Sequence, residues 1–275
     1  MRPTMVDSID WIINHHEIVA GTNALFGLIE RDELSKSCIA IDGPGASGKG
    51  SINKILKAIT GCGGTLNAGT FYRASAYVLD SLGIAPGDVT PRDIRNLNNH
   101  LSYNEDQSFV EYAGREITQE LNGARVGEIV ANYSNVKDIK SAIFSQQRTI
   151  IDSGGYVLDG RDMVKHICPD ALFRIYYTAS TSARAKRRYE QFQRSGSKCD
   201  RSKTFDDVFH DIELRDEQDF GNTDFIFLRP EEAQVEVLSG GNREGEYNIF
   251  VDTSGKDVLQ SSIEILNKMR GVLVS

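Results

Sequence analysis

The stretch CIAIDGPGASGKGS (Cys38 to Ser51) predicts how this chain folds. A short run rich in β-branched residues ends in a glycine-rich turn, and Lys49 stands where a helix should begin. Glycines allow the backbone to close around an anion with its N–H groups pointing inward, while the helix N-terminus and the lysine contribute positive charge. The stretch is therefore typical of a strand and a helix joined by a phosphate-binding loop.

Two phosphate-binding motifs fit these glycines. The spacing Gly43-x-Gly45-x-x-Gly48 matches the dinucleotide fingerprint, which requires an acidic residue about 20 positions later to hold a ribose. Residues 65–69 read TLNAG, so that acid is missing. The dinucleotide motif would also leave Lys49 without a function. We therefore favour the P-loop motif, which uses every part of the stretch.

The P-loop pattern departs from its usual form at one position. Gly50 stands where a Ser or Thr usually follows the lysine, and the hydroxyl comes one residue later on Ser51. This Gly-Lys-Gly-Ser variant is familiar from nucleoside monophosphate kinases, and the apolar spacing after it is helical. We expect nucleotide phosphates to be bound by Gly43, Pro44, Gly45, Ala46, Ser47, Gly48, Lys49, Gly50 and Ser51.

The composition is that of a soluble globular protein, with 40% hydrophobic and 25% charged residues in a chain of 275. A net charge of -8 argues against a general nucleic-acid-binding function. Apolar runs are too short for a membrane span, and the N-terminus lacks a signal-peptide pattern. The four cysteines are widely spaced, as in reduced proteins. We expect a cytoplasmic protein that binds neither nucleic acid nor membranes.

Strand-like and helix-like segments alternate from the P-loop onward. Strands are predicted near residues 38–42, 65–66, 156–159, 173–177 and 248–252. Helical sequence separates them, and this order is typical of an α/β fold with three α/β/α layers and a central parallel sheet. Ligands of such sheets bind at the carboxyl ends of the strands, so the P-loop, Asp159 and Arg161 should converge at one edge.

Between the second and third strands lies a segment with its own signals. Thr90 and Pro91 predict the start of a helix, because Thr is a good N-cap and Pro is favoured at the first helical position. Residues 109–117 indicate a small hairpin with Ala113 and Gly114 at its turn. Helical sequence follows over about 125–151.

Phosphoryl transfer depends on positioning and charge neutralisation more than on covalent help from the protein. Asp159, at the end of a hydrophobic strand, fits a residue that orients Mg²⁺ together with the Ser51 hydroxyl, and a turn or helix-cap function is the alternative. If the acceptor carries a phosphate, arginines should bind it, because the guanidinium group holds phosphate oxygens bidentately. Arg73, Arg161 and Arg215 are candidates, although single arginines are more often solvated surface residues.

A basic cluster, RAKRR at residues 184–188, falls on a predicted helix ahead of a flexible SGSK tip at 195–198. One interpretation is a mobile lid that closes cations over the transferring phosphoryl group. The other is a solvated helix face or a helix C-terminal charge cluster. We favour the lid.

The chain resembles the bacterial cytidylate kinases at these motifs. The resemblance rests on IAIDGPGASGKGS at 39–51, AGTFYR at 68–73, LDGRDM at 158–163 and RAKRR at 184–188. It runs from about Cys38 to the C-terminal helix and excludes residues 231–246. It implies a P-loop kinase fold with an NMP-binding insertion and a helical lid, ATP with Mg²⁺ as donor, and CMP or dCMP as acceptor.

The resemblance also implies functions for individual residues. The residues expected to catalyse transfer are Lys49, Arg161, Arg184, Arg188 and Arg215. The acceptor nucleotide would be held by Tyr72, Arg73, Arg161 and Arg215, with Asp162 at the cytosine, Asp219 at the ribose and Lys140 in place of a base-contacting arginine.

Departures from the family lie on the acceptor side. The changed positions are Asn67, Ala68, Asn122, Ala131, Lys140 and Asn222. Among them, Ala131 replaces a base-contacting serine and Lys140 an arginine. Because buried hydrogen-bonding groups set discrimination more strongly than hydrophobic fit, these changes should weaken or redirect cytosine recognition.

We expect residues 1–36 to form an N-terminal helical extension and residues 37–275 the kinase domain. The extension is either two short helices packed on the domain or a segment that binds a partner. Within the domain we expect an NMP-binding insertion over about 88–150, a lid over about 184–222 and an inserted polar loop over about 231–247.

The leading hypothesis is a nucleoside monophosphate kinase that uses ATP and Mg²⁺ and prefers CMP or dCMP, acting as a monomer or weak homo-oligomer. A same-fold kinase acting on a modified nucleotide or another phosphorylated small molecule is the nearest alternative. A non-catalytic P-loop module that binds nucleotide and regulates is the alternative of another class.

Overall fold

The computed structural model describes residues 9–104, 109–122, 124–152, 154–194, 201–221, 228–240 and 245–274. The chain forms two compact units. The first unit combines residues 1–63 with 154–275, and the second unit is residues 64–153.

Helices and strands are interspersed along the described part of the chain. Up to the end of the second unit they are α1 (Ile9–Ile13), α2 (His16–Phe26), α3 (Arg31–Lys36), β1 (Ile39–Asp42), α4 (Lys49–Thr60), β2 (Gly64–Asn67), α5 (Ala68–Ser81), α6 (Pro91–His100), β3 (Leu101–Tyr103), β4 (Val110–Tyr112), β5 (Arg115–Glu116), α7 (Ala124–Ser134) and α8 (Lys137–Ile151). The rest are β6 (Tyr156–Gly160), a π-turn (Met163–Ile167), β7 (Phe173–Thr178), α9 (Thr181–Arg194), α10 (Phe205–Phe220), α11 (Pro230–Leu238), β8 (Ile249–Asp252) and α12 (Val258–Val274).

The main sheet has the strand order β2-β6-β1-β7-β8, and β1 pairs in parallel with both of its neighbours. All four residues of β1 are buried, as expected for a central strand covered on both faces. The register sets Ile41 beside Asp159 of β6 and Ile175 of β7. The predicted α/β fold with a parallel sheet is therefore confirmed, and the P-loop and Asp159 lie at the same sheet edge.

Two glycines of the P-loop are required by the backbone. Gly43 has a φ of 155°, and a Cβ at this position would overlap the carbonyl oxygen of Tyr177. Gly48, with a φ of 103°, adopts a left-handed conformation immediately before α4. Residues other than glycine adopt such conformations only under strain, so the glycine spacing of the motif follows from the shape of the loop.

The N-terminal segment is part of the core of the first unit. Its described residues, 9–36, form three helices, where the sequence suggested two, and Ile12, Ile18 and Leu25 are buried against the same cluster as Ile265 and Leu266 of α12. Burial of a large aliphatic side chain contributes about 1.5–3 kcal/mol to folding. The described part of the segment therefore packs on the main domain, which is the first of the two arrangements considered for it.

The inserted loop predicted over about 231–247 is wrong over its first half, which is the helix α11. Pro230 occupies the first turn, Glu232 accepts a hydrogen bond from the Arg229 N–H at 2.8 Å, and Ala233 is buried. The sequence concealed this helix because Val235 and Leu238 are exposed, so its apolar residues do not mark the face that Ala233 buries.

The segment after β6 also differs from the prediction of an ordinary helix. Residues 163–167 form a π-turn, in which the Cys168 N–H donates to the Met163 carbonyl at 2.7 Å. Wider turns of this kind are uncommon and occur frequently at functional sites.

The second unit combines helices α5 to α8 with an antiparallel sheet of order β3-β4-β5. The predicted hairpin turn is confirmed at Ala113 and Gly114, which both have positive φ, and Thr90 caps α6 as expected. Strand β3 was not predicted. The unit begins at Gly64, well before the boundary near residue 88 expected for the insertion, because α5 packs on α7.

The buried Asp42 carboxylate links three segments of the first unit. Asp42, at the end of β1, is 0% exposed and accepts hydrogen bonds from the Met163 N–H at 2.9 Å, the Val164 N–H at 3.0 Å and the Tyr247 hydroxyl at 3.1 Å. Burial raises the pKa of Asp42 from 3.8 to about 6, despite these three donors.

Among the described helices, none combines the length and apolar character needed to cross a membrane.

The raised pKa of Asp42 predicts a pH-dependent contribution to stability. Between about pH 4 and pH 6 the folded state binds a proton that the unfolded state has released, so this group makes unfolding harder as the pH falls. Relative to Asp42→Asn, the wild type should gain about 2 kcal/mol in the free energy of unfolding between pH 7 and pH 4. Urea denaturation of both proteins across this range measures the difference, with the exposed Asp206→Asn as control. A difference that does not vary with pH would contradict the assignment.

Candidate active site

Lys49 is held over the start of the P-loop. Its Nζ donates to the Gly43 carbonyl at 2.7 Å and to the Pro44 carbonyl at 2.9 Å. Burial lowers the pKa of Lys49, and the Asp159 carboxylate, 3.9 Å from Nζ, opposes that effect. The ammonium group thus stands at the mouth of the loop, where phosphate oxygens are stronger partners than the two carbonyls.

Two oxygen donors near the loop suit a hard divalent cation. The Asp159 carboxylate is buried at the end of β6, and Ser51 is exposed on the first turn of α4. Carboxylate and hydroxyl oxygens are ligands that Mg²⁺ takes, commonly alongside phosphate oxygens and water. These residues fit the predicted metal site, and their assignment to Mg²⁺ stays a prediction.

Two arginines converge on one carboxylate at this edge of the sheet. The Arg161 Nε lies 2.6 Å from the Asp219 Oδ2, and the Arg215 Nε lies 3.2 Å from the Asp219 Oδ1. Burial lowers the pKa of Arg215, and the charge of Arg161 lowers it further. The Arg161 guanidinium also lies near the P-loop. If Gly45 carried a Cβ, that atom would be 3.4 Å from the Arg161 Nη2. Two cations around one anion leave a net positive charge beside the loop.

Arg184 is a buried connection between α9, α10 and the P-loop. It is 4% exposed, its Nη1 donates to the Asp216 Oδ1 at 3.0 Å, and its Nη2 pairs with the other oxygen of that carboxylate. Its Nε donates to the Ala179 carbonyl at 2.9 Å and its Nη1 to the Gly45 carbonyl at 3.3 Å. The predicted lid arginine therefore contacts the loop itself.

Arg187 is a residue of the site that the sequence analysis did not select. Its Nη1 donates to the Ser47 carbonyl at 2.7 Å, and its Nη2 to the Thr253 carbonyl at 2.8 Å. Arg188 lies instead over the Phe192 ring at 4.7 Å. Residues three and four positions after Arg184 share its helix face, so spacing alone did not distinguish the two arginines.

Asp162 directly follows Arg161 and precedes the π-turn. Its carboxylate lies 3.7 Å from the His166 Nδ1, and it is largely buried. The peptide groups after it are bonded to Asp42, so the buried carboxylate of β1 positions both Arg161 and Asp162.

The remaining predicted substrate residues belong to the second unit. Tyr72 and Arg73 lie on α5, where the Arg73 Nη1 donates to the Leu121 carbonyl at 3.0 Å. Lys140 is buried on α8, at 7% exposure. Asn67 caps α5 by accepting from the Thr70 N–H at 3.2 Å, which an aspartate could also do. The side chain of Asn122, and Asn222 as a whole, lie outside the described residues.

Comparison with known proteins agrees with this geometry. The profile of the family described as cytidylate kinase matches residues 39–236. A cytidylate kinase of Thermotoga sp. (strain RQ2) is 32% identical over 197 residues, which are 72% of this chain and 86% of that protein. One from Acinetobacter baylyi (strain ATCC 33305 / BD413 / ADP1) is 33% identical over 196 residues, covering 69% and 84%.

A more extensive match is found in Pseudothermotoga lettingae (strain ATCC BAA-301 / DSM 14385 / NBRC 107922 / TMO). Its cytidylate kinase is 25% identical over 232 residues, which are 84% of this chain and 93% of that protein. The family profile spans well over half of the chain and includes the P-loop, the Arg161 segment and both arginine-bearing helices α9 and α10. The chain belongs to the cytidylate kinase family.

Proposed function

We propose that this protein transfers a phosphoryl group from ATP, bound with Mg²⁺, to CMP or dCMP, giving the nucleoside diphosphate and ADP. The observation that carries the proposal is a complete P-loop beside a cluster of arginines in one unit, with the Arg161 guanidinium near Gly45 of the loop and paired with Asp219. The names of the relatives support the choice of a cytidine nucleotide.

The donor half of the reaction belongs to the P-loop. Phosphates would bind the loop N–H groups and displace the Gly43 and Pro44 carbonyls from the Lys49 ammonium group. Ser51 and Asp159 would hold Mg²⁺, which neutralises phosphate charge when bound. Lys49 would stabilise the negative charge that develops as the phosphoryl group leaves. Stabilising this charge is the main way a protein accelerates the reaction.

The acceptor half would use Arg161 and Arg215. Both are already oriented by Asp219, so little reorganisation is needed when a phosphate approaches their remaining N–H donors. By the family resemblance, Asp162 would contact the base and Asp219 the ribose. Tyr72, Arg73 and Lys140, in the second unit, are the other residues that the resemblance assigns to the acceptor nucleotide.

The acceptor substitutions make the preference for cytidine nucleotides the most informative property to measure. ADP release should be followed with CMP, dCMP, UMP, dUMP, AMP, GMP and dTMP at equal concentrations. We expect CMP or dCMP to give the highest kcat/KM. If CMP and dCMP are turned over no faster than background ATP hydrolysis while another nucleotide is active, that nucleotide is the acceptor and the proposal is wrong for cytidine nucleotides.

Replacement of Lys49 tests the donor half. Lys49→Met should lower kcat by about 10²–10³, because one preorganised charged donor to the transition state is lost. Lys54→Met, an exposed lysine of the same helix, is the matched control and should retain activity. Circular dichroism checks that both variants fold. Near-normal turnover of Lys49→Met would remove this lysine from the mechanism.

Replacement of Asp219 tests whether the two arginines must be held together. Asp219→Asn removes the charge shared by Arg161 and Arg215, and we expect kcat/KM for the acceptor to fall by about ten- to a hundredfold, the effect of one charged hydrogen bond. The KM for ATP should change little. Asp211→Asn, on the exposed side of the same helix, serves as control. An equal fall in kcat/KM for ATP and for the acceptor would argue for a general structural effect instead.

A further inference from the structure

Two cysteines meet at the amino end of the main sheet, opposite the P-loop. Ile39 pairs with Val157 of β6 and Phe173 of β7, which places Cys38 beside the starts of both strands. Cys168 ends the π-turn, and its carbonyl accepts from the Ala171 N–H at 3.1 Å in the turn that leads into β7. The register and this turn place both residues at this end of the sheet. The Cys168 thiol donates a hydrogen bond to the Cys38 sulfur.

The surroundings of the two thiols differ. Cys38 is partly exposed, and the peptide N–H groups of Tyr156 and Gly155 face its sulfur. The hydrogen bond from Cys168 lowers the pKa of Cys38, and these two N–H groups reinforce the effect against the opposing influence of burial. Cys38 is therefore the thiol with greater thiolate character and greater access to solvent.

Cys168 has the opposite properties. It is buried, and its Sγ lies 3.5 Å from the Asp170 Oδ1. The hydrogen bond to Cys38, burial and the negative charge of Asp170 all raise the pKa of Cys168. Such a thiol is a poor first nucleophile, but its hydrogen bond to Cys38 makes it the partner expected to attack that sulfur once it is oxidised.

A third cysteine, Cys62, lies near residue 37, but its sulfur has other partners. Cys62 is buried, its sulfur accepts from the Thr60 hydroxyl at 3.1 Å, and it lies 3.7 Å from the Ser37 carbonyl. In the described part of the chain, the residues grouped closely enough to share a metal ion are His15, His16 and Glu17, and no cysteine is among them. Among the described residues, these three thiols therefore do not belong to a group that could share a metal ion.

We propose that Cys38 and Cys168 form a redox modification site, which hydrogen peroxide converts into an intramolecular disulfide and a dithiol reductant restores. The Cys38 thiolate attacks a peroxide oxygen, the O–O bond breaks, and a sulfenic acid and water result after proton transfer. The Cys168 sulfur then attacks the Cys38 sulfur, the S–O bond breaks and a second water leaves. Two thiols lose two electrons, and one peroxide becomes two waters.

The proposal is independent of the phosphoryl-transfer activity. The family match begins at residue 39, so Cys38 lies outside it, and the P-loop is at the other end of β1. The disulfide would tie the residue before β1, the strand that carries the P-loop, to the turn before β7. It would also protect Cys38 from further oxidation to the irreversible sulfinic and sulfonic acids.

Peptide mapping of the full chain tests the proposal directly. The reduced protein is treated with equimolar hydrogen peroxide, alkylated, and digested with trypsin without reductant. Cleavage yields residues 37–49 with Cys38 and residues 166–174 with Cys168 as the single cysteine of each peptide. We expect these two peptides to be linked, at two hydrogens below their summed mass, and to separate after dithiothreitol. A Cys38 oxidised to sulfinic acid with Cys168 free, or linkage of Cys38 to Cys62, would overturn the proposal.

Single substitutions assign the two functions. In Cys168→Ser, Cys38 should stop at the sulfenic acid and be labelled by dimedone, whereas in Cys38→Ser the Cys168 thiol should stay alkylatable after peroxide. Cys62→Ser is the matched control and should form the linked peptides as the wild type does. Dimedone labelling of Cys168 in Cys38→Ser would reverse the assignment of nucleophile and contradict the proposal. The wild-type mapping stands without any variant, so a folding defect in one of them does not decide the outcome.

Discussion

The buried Asp42 carboxylate accepts hydrogen bonds from the Met163 and Val164 peptide groups and from the Tyr247 hydroxyl. Through them one side chain joins the strand that leads into the P-loop, the turn that carries Arg161 and the segment before β8. Satisfying a buried charge requires several donors at once, so these three segments are held in one arrangement. The site at the carboxyl edge of the sheet depends on that arrangement.

The arginines of α9 extend this organisation to the P-loop backbone. Arg184 binds the Gly45 carbonyl and Arg187 the Ser47 carbonyl. In a trans peptide unit the carbonyl and the N–H of the next residue point in opposite directions. Holding these carbonyls outward therefore presents the following N–H groups toward the space that a phosphate would fill. The basic helix thus fixes the orientation of these two peptide groups of the P-loop.

The N-terminal helices show that similarity to a family and contribution to a core are separate properties. The family match begins at residue 39, yet Ile12, Ile18, Leu25 and Leu34 are fully buried with the core of the first unit. Their apolar faces cover α4 and α12, so the helix that follows the P-loop packs partly on residues outside the family profile. We infer that the stability of this chain depends on them.

The sequence by itself determined the P-loop, the strands of the main sheet and the residues at their ends, because glycine spacing and apolar periodicity are local properties. It also identified the family through motifs that are continuous in the chain. Only the tertiary structure decided that Asp42 meets Tyr247, 205 residues later, and that Arg187 contacts the loop while Arg188 stacks on Phe192. Such contacts depend on how distant segments pack, and residues that share a helix face leave the same pattern in the sequence.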